Sequence, residues 1–146
     1  MKRLLLPILL LLLLPTPLFA QLDFEETKAL AEQGDVAAQK RLGDIYRDGK
    51  GVDQNHFEAF KWYRLSAQSG DSNAFLSLGF LYYIGAGVPQ HYIRAYVLYS
   101  LSAAQGNIDA SYTRDKIAEK LGPDQLAIAQ DLSVKCFESG FKDCPF

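Results

Sequence analysis

Between Ala38 and Asp71 the chain lays down a skeleton that it repeats at a step of 36 residues. Leu42, Gly43 and Tyr46 lead into Gly49-Lys50-Gly51-Val52, and these into Ala59, Trp62-Tyr63, Ala67 and Gly70-Asp71. Ala74, Leu78, Gly79 and Tyr82 then lead into Gly85-Ala86-Gly87-Val88, followed by Ala95, Leu98-Tyr99, Ala103 and Gly106-Asn107. A fixed period of roughly 20–50 residues marks a stack of supersecondary units, each burying its apolar face on the next. The repeat therefore constrains the fold more than any composition figure.

Within each unit the apolar spacing is helical. Ala38, Leu42, Ile45 and Tyr46 recur at intervals of three and four, as do Phe60, Tyr63 and Ala67. Gly49 and Gly85 follow the first helices, where a left-handed residue stops a helix, and Gly51 and Gly87 allow a second bend. Val52 and Val88 plug the gap between paired helices. Asn55 caps the second helix of the first unit, and Pro89 precedes its counterpart in the second. Gly70 and Gly106 close the second helices, and Asp71 and Asn107 cap the next first helices. Gly43 and Gly79 lie inside helices, where glycine costs roughly 1 kcal/mol against alanine, so another helix is expected to approach closely there. Tyr46, Trp62, Tyr63, Tyr82 and Tyr99 supply the bulk between neighbours.

These residues closely resemble the Sel1-like repeat, a relative of the tetratricopeptide repeat, with Leu98 where that family prefers Trp. The resemblance implies an all-α fold: a right-handed α-solenoid of antiparallel helix hairpins with about seven helices. The flanks read as partial units. Ala31 and Gly34-Asp35 keep the register upstream. Downstream, Ala110 keeps it, but Arg114 replaces the leucine and Asp115 the glycine. Leu121-Gly122 ends that helix and Pro123 starts another through Leu126, Ala129, Leu132 and Phe137. Terminal units are expected to differ because one face meets water. The expected layout is a leader over 1–20, a capping helix over 21–34, repeats over 35–70 and 71–106, a capping helix pair over 107–139 and a tail over 140–146.

The leader rests on Met1-Lys2-Arg3, an apolar run from Leu4 to Leu14 interrupted only by Pro7, and Leu18-Phe19-Ala20 before a polar stretch. That is the layout of a secretory signal peptide, with cleavage after Ala20 and an uncleaved anchor as the alternative. The apolar run is shorter than the roughly 20 residues a membrane-spanning helix needs. Pro15, Thr16 and Pro17 are expected to break any helix there. Export places Cys136 and Cys144 in an oxidising compartment, where an even pair reads as a disulfide. It would tether Phe141 to Phe146 onto the final helix. The alternative, a redox pair, does not match the Cys-x-x-Cys spacing of thiol oxidoreductases. The expected location is outside the cytoplasm, periplasmic in a Gram-negative cell.

Of the 146 residues, 49% are hydrophobic and 22% charged, as in an ordinary globular chain. Losing Lys2 and Arg3 with the leader leaves 13 basic and 17 acidic residues, a net charge of −4. That balance argues against a nucleic-acid partner, which needs a dense basic surface. No catalytic constellation stands out. His56 and His91 are 35 residues apart, one short of the repeat. No His, Cys, Asp or Glu spacing matches a zinc site. Gly49-Lys50-Gly51 and Gly85-Ala86-Gly87 lack the residues of a phosphate loop. The resemblance includes cysteine-rich relatives proposed to act on β-lactams, but those carry Cys pairs in every repeat and residues 34–107 hold none. A non-enzyme without cofactor or metal is expected, monomeric and without stable membrane insertion once the leader is gone.

Binding remains. Paired-helix solenoids present a concave face made of their first helices. The likeness to tetratricopeptide geometry points Lys40, Asp44 and Arg47 into it from the first hairpin. Asn73, Leu76, Phe80 and Tyr83 come from the second, and Tyr112 and Lys116 from the capping pair. Charged, aromatic and mixed chemistry then succeed one another along the groove, and Phe80 and Tyr83 beside Arg47 have the make-up of a protein-binding hot spot. The competing expectation packs Phe80 and Tyr83 against a neighbouring helix. The expected partner is another protein or peptide. The alternatives are an immunity protein neutralising a secreted effector enzyme, a host-interaction factor, and binding of peptidoglycan or another glycan through Tyr83, Tyr112 and Lys116.

Overall fold

The computed structural model describes residues 16–146, with side chains from Leu18 onward, so the expected leader up to residue 15 lies outside the described residues. Seven helices succeed one another: α1 Thr16–Glu32, α2 Val36–Asp48, α3 His56–Gln68, α4 Ser72–Ile84, α5 Tyr92–Ala104, α6 Ile108–Ala118 and α7 Pro123–Glu138. Among the described residues there is no strand. Helices α2 with α3 and α4 with α5 pair as hairpins and stack as a solenoid, and α6 and α7 close it against α5. No described helix is long and apolar enough to cross a membrane.

The 36-residue step is also a step in hydrogen bonds. Asp35, Asp71 and Asn107 each stand at an N-cap and accept from the backbone N–H three residues on, at 2.7, 2.6 and 3.0 Å. Such a cap contributes about 1 kcal/mol by satisfying a donor that the helix leaves open. Asn55 caps α3, and His91 takes the same place on α5 with Nδ1 toward Arg94 N–H. Gly49 and Gly85 end α2 and α4 at φ 69° and 72°, a left-handed conformation that side chains with a Cβ resist. Two buried serines tie the hairpins: the Ser66 hydroxyl donates to the Val36 carbonyl at 3.0 Å and that of Ser102 to the Ser72 carbonyl at 2.9 Å.

The helical glycines meet aromatic rings, as their cost implied. A Cβ on Gly43 would overlap the Tyr63 ring, and one on Gly79 would come within 3.0 Å of Tyr99. Tyr63, Phe75, Leu78, Leu81, Leu98 and Leu101 fill the main core, and Phe24, Ala31, Leu42 and Ile45 a smaller one beside α1.

Thr16 and Pro17 lie within α1 as described, so they do not break the helix there, and the expected cleavage point after Ala20 falls inside it. The helix is in register as the second half of a preceding unit. Phe24 meets Tyr46 edge-on at 5.7 Å, just as Phe60 meets Tyr82 at 5.5 Å. At the other end Cys136 and Cys144 form a disulfide. The tail reaches further than the final helix. Phe141 packs on Phe75 of α4 at 5.1 Å as well as on Phe137 at 6.1 Å, and Phe146 approaches Phe75 at 6.4 Å.

Candidate functional site

A groove of about 470 Å³ crosses the first helices. Arg47 of α2, Leu76, Ser77 and Phe80 of α4, Tyr99 of α5 and Thr113 of α6 line it. Three separate hairpins thus contribute to one hollow, because the repeat returns the same helix face at each step. Phe80 is 43% exposed and Leu76 half-buried, so the middle of the groove offers apolar surface to solvent.

The charged end is pre-ordered. Asp44 takes Lys40 Nζ at 2.6 Å, Arg47 Nη1 at 3.4 Å and the Tyr63 hydroxyl at 2.8 Å. Arg47 Nε also donates to Asp48 at 2.7 Å, and this pairing holds the Asp48 carboxyl down near 2. The same hydrogen bond pushes the Arg47 guanidinium above its ordinary value. Burial, and then the Asp44 carboxylate that its hydroxyl donates to, raises the Tyr63 phenol. Burial raises Tyr99 to about 12, with Tyr83 adding to it.

Of the residues expected on this face, Arg47, Leu76 and Phe80 line the groove, and Lys40 and Asp44 support its charged end from a half-buried position. Tyr83 is half-buried against the Tyr92 ring at 5.7 Å, and Asn73 is exposed at the start of α4. Tyr112 is 67% exposed with Lys116 Nζ 6.0 Å from its ring, and Lys116 pairs with Glu119 at 2.9 Å. Neither of these two is among the residues lining the groove. Ser77, Tyr99 and Thr113 do line it and were not singled out from the sequence. Ser77 and Thr113 are one repeat apart, next to Leu76 and Tyr112, so the register itself carried that signal. Tyr99 was read as bulk, and its signal was the exchange of Asp44 for Phe80 across from it. A second hollow of about 270 Å³ between α5 and α7, lined by Leu101, Val134 and Phe137 among others, holds none of the expected residues.

A family model for the Sel1 repeat matches residues 36–71 and 74–107. No curated protein matches the chain. Among solved structures, a protective antigen of uropathogenic Escherichia coli strains displaying an SLR fold superposes with a TM-score of 0.76 at 32% identity, over 81% of this chain. This chain spans only 26% of that protein's length. A Sel1 repeat protein from Oxalobacter formigenes superposes with a TM-score of 0.57 at 28% identity, over 75% of this chain and 98% of its own. Sel1 repeats in general mediate protein–protein interaction. With two repeats in register, on helices and caps that recur at the same step, the chain belongs to the Sel1-like repeat family.

Proposed function

We propose that this chain is an exported scaffold that binds a segment of another protein in the groove across its first helices, without catalysis or cofactor. The observation that carries the reading is convergence. Arg47, Leu76 and Phe80 come from two hairpins, yet they border one hollow of about 470 Å³ beside a fixed charged end. Exposed Phe80 on a rigid backbone is the kind of anchor that dominates protein interfaces, and the preformed ion pairs lower the ordering cost of binding. Export is supported by the leader pattern and by the Cys136–Cys144 disulfide, which persists outside reducing compartments. The likeness to a protective antigen fits the same placement. The same surface would serve an adaptor, a host-interaction factor or an immunity protein. Tyr112, 67% exposed with Lys116 beside it, favours glycan stacking as a second reading.

Pull-down from periplasmic extract separates the two. The first reading expects a stoichiometric protein partner that is lost when Leu76→Ala and Phe80→Ala are combined, with the melting temperature nearly unchanged. Retention on isolated cell wall that Tyr112→Ala abolishes and the groove pair leaves intact contradicts it.

A further inference from the structure

Tyr63 and Tyr99 occupy the same place in successive units. Each ring lies over a helical glycine, Gly43 or Gly79, and each is buried, Tyr63 fully and Tyr99 with 4% of its surface exposed. Their hydroxyls differ. That of Tyr63 donates to Asp44 at 2.8 Å, and Asp44 is in turn neutralised by Lys40 at 2.6 Å and Arg47 at 3.4 Å. One repeat on, Leu76 stands for Lys40, Phe80 for Asp44 and Tyr83 for Arg47. The scaffold that positions the phenol is kept, but its carboxylate is gone. Among the described residues no protein group accepts a hydrogen bond from Tyr99, whose ring forms part of the groove wall. The Tyr99 hydroxyl is not among the buried polar atoms left without a partner, so solvent reaches it, and a ligand acceptor that replaces this water can take its proton.

The rest of the wall says which acceptor fits. Among the described residues Arg47 is the one charged group lining the groove, and no carboxylate lines it. Arg47 holds Asp48 through Nε at 2.7 Å and Nη2 at 3.2 Å and faces Asp44 through Nη1 at 3.4 Å, which leaves one N–H on each terminal nitrogen for a further anion. Thr113 spends its own proton on the Asp109 carbonyl at 2.9 Å. Leu76 and Phe80 form an apolar patch next to the phenol.

We propose that Tyr99 is the specificity-determining donor of this groove. It hydrogen-bonds the carboxylate of an Asp or Glu side chain on the bound protein segment, while a large apolar residue beside that acid rests on Leu76 and Phe80. The incoming carboxylate does for Tyr99 what Asp44 does for Tyr63. The inference rests on the groove being the binding face, as proposed above.

The test uses the full oxidised chain and a displayed library of random peptides. Peptides selected on the wild-type chain are expected to carry an Asp or Glu next to a Leu, Ile, Met or aromatic residue. Tyr99→Phe should weaken them roughly tenfold or more, the range of a hydrogen bond to a charged group. Changing the peptide's acid to its amide should weaken binding equally, and both changes together no further. Tyr96→Phe, at a buried tyrosine of α5 that does not line the groove, should leave affinity unchanged. Thermal melting of Tyr99→Phe equal to wild type shows that the loss is not unfolding. Binders lost on Phe80→Ala but kept on Tyr99→Phe, or binders lacking an acid, overturn the carboxylate inference and leave the groove standing. Binders indifferent to Phe80→Ala, or no enriched peptide at all, overturn the groove reading as well.

Discussion

Each unit sets a tyrosine over a helical glycine, and the two hydroxyls differ: Tyr63 donates to Asp44, while Tyr99 lies at the groove wall with no carboxylate beside it. The close approach was legible in the sequence because glycine inside a helix needs a reason. Which ring fills the space was not, since that depends on how the second helix of the hairpin packs. The fate of the hydroxyl was further from view. It turns on Asp44 becoming Phe80, a change 19 residues upstream of the tyrosine in both units. The two buried phenols also give a pH dependence with a definite sign. Burial favours their neutral form, so their contribution to stability is fully present below the ordinary tyrosine value of 10.0. It is lost as pH rises from there toward about 12, because the unfolded chain gives up the Tyr99 proton first. Alkaline spectrophotometric titration should find two late-ionising phenols, Tyr63 and Tyr99, while the fold persists. Tyr99→Phe should remove one late titration and leave the other. Late ionisation unchanged in that variant contradicts the assignment.

At the scale of the element, the caps at Asn55, Asp71 and Asn107 were well marked, because Asp, Asn and Gly at fixed offsets act locally. Two devices that act across elements were not. The Ser66 and Ser102 hydroxyls were not singled out from the sequence, yet they hold each second helix to the start of its partner. The tail read as a strap on the final helix, yet Phe141 and Phe146 land on Phe75 of α4. The disulfide therefore fixes a contact between the end of the chain and the second repeat. Replacing both cysteines, Cys136→Ser with Cys144→Ser, is expected to lower stability by about 2–3 kcal/mol, the loop-closure figure for so short a ring. Urea denaturation measures the loss, and hydrogen exchange should show new mobility in residues 140–146 and around Phe75. A stability loss with the tail still protected would mean that Phe141 and Phe146 hold the tail without the bridge.

The whole molecule is a short stack whose repeats specify the architecture and whose departures from the repeat specify the surface. The first unit is charged at Lys40, Asp44 and Arg47 and satisfies itself. The second is apolar at Leu76 and Phe80 and leaves Tyr99 open. The groove lies where the two chemistries meet. That meeting could be anticipated from register for Arg47, Leu76 and Phe80. Tyr83, Tyr112 and Lys116 were placed by the same register but stand outside the lining, Tyr83 because Tyr92 covers it and the other two because Thr113 is the α6 residue that lines the hollow. The most direct test of the binding face is site-specific photo-crosslinking in cells that export the chain. A photoreactive side chain replaces Phe80 in the groove or, as a control, the exposed Leu65 on α3. A discrete protein adduct from position 80, absent from position 65 and lost on Tyr99→Phe or Leu76→Ala, is the predicted result. An adduct from position 65 alone, or crosslinks only to cell-wall material, would contradict the account.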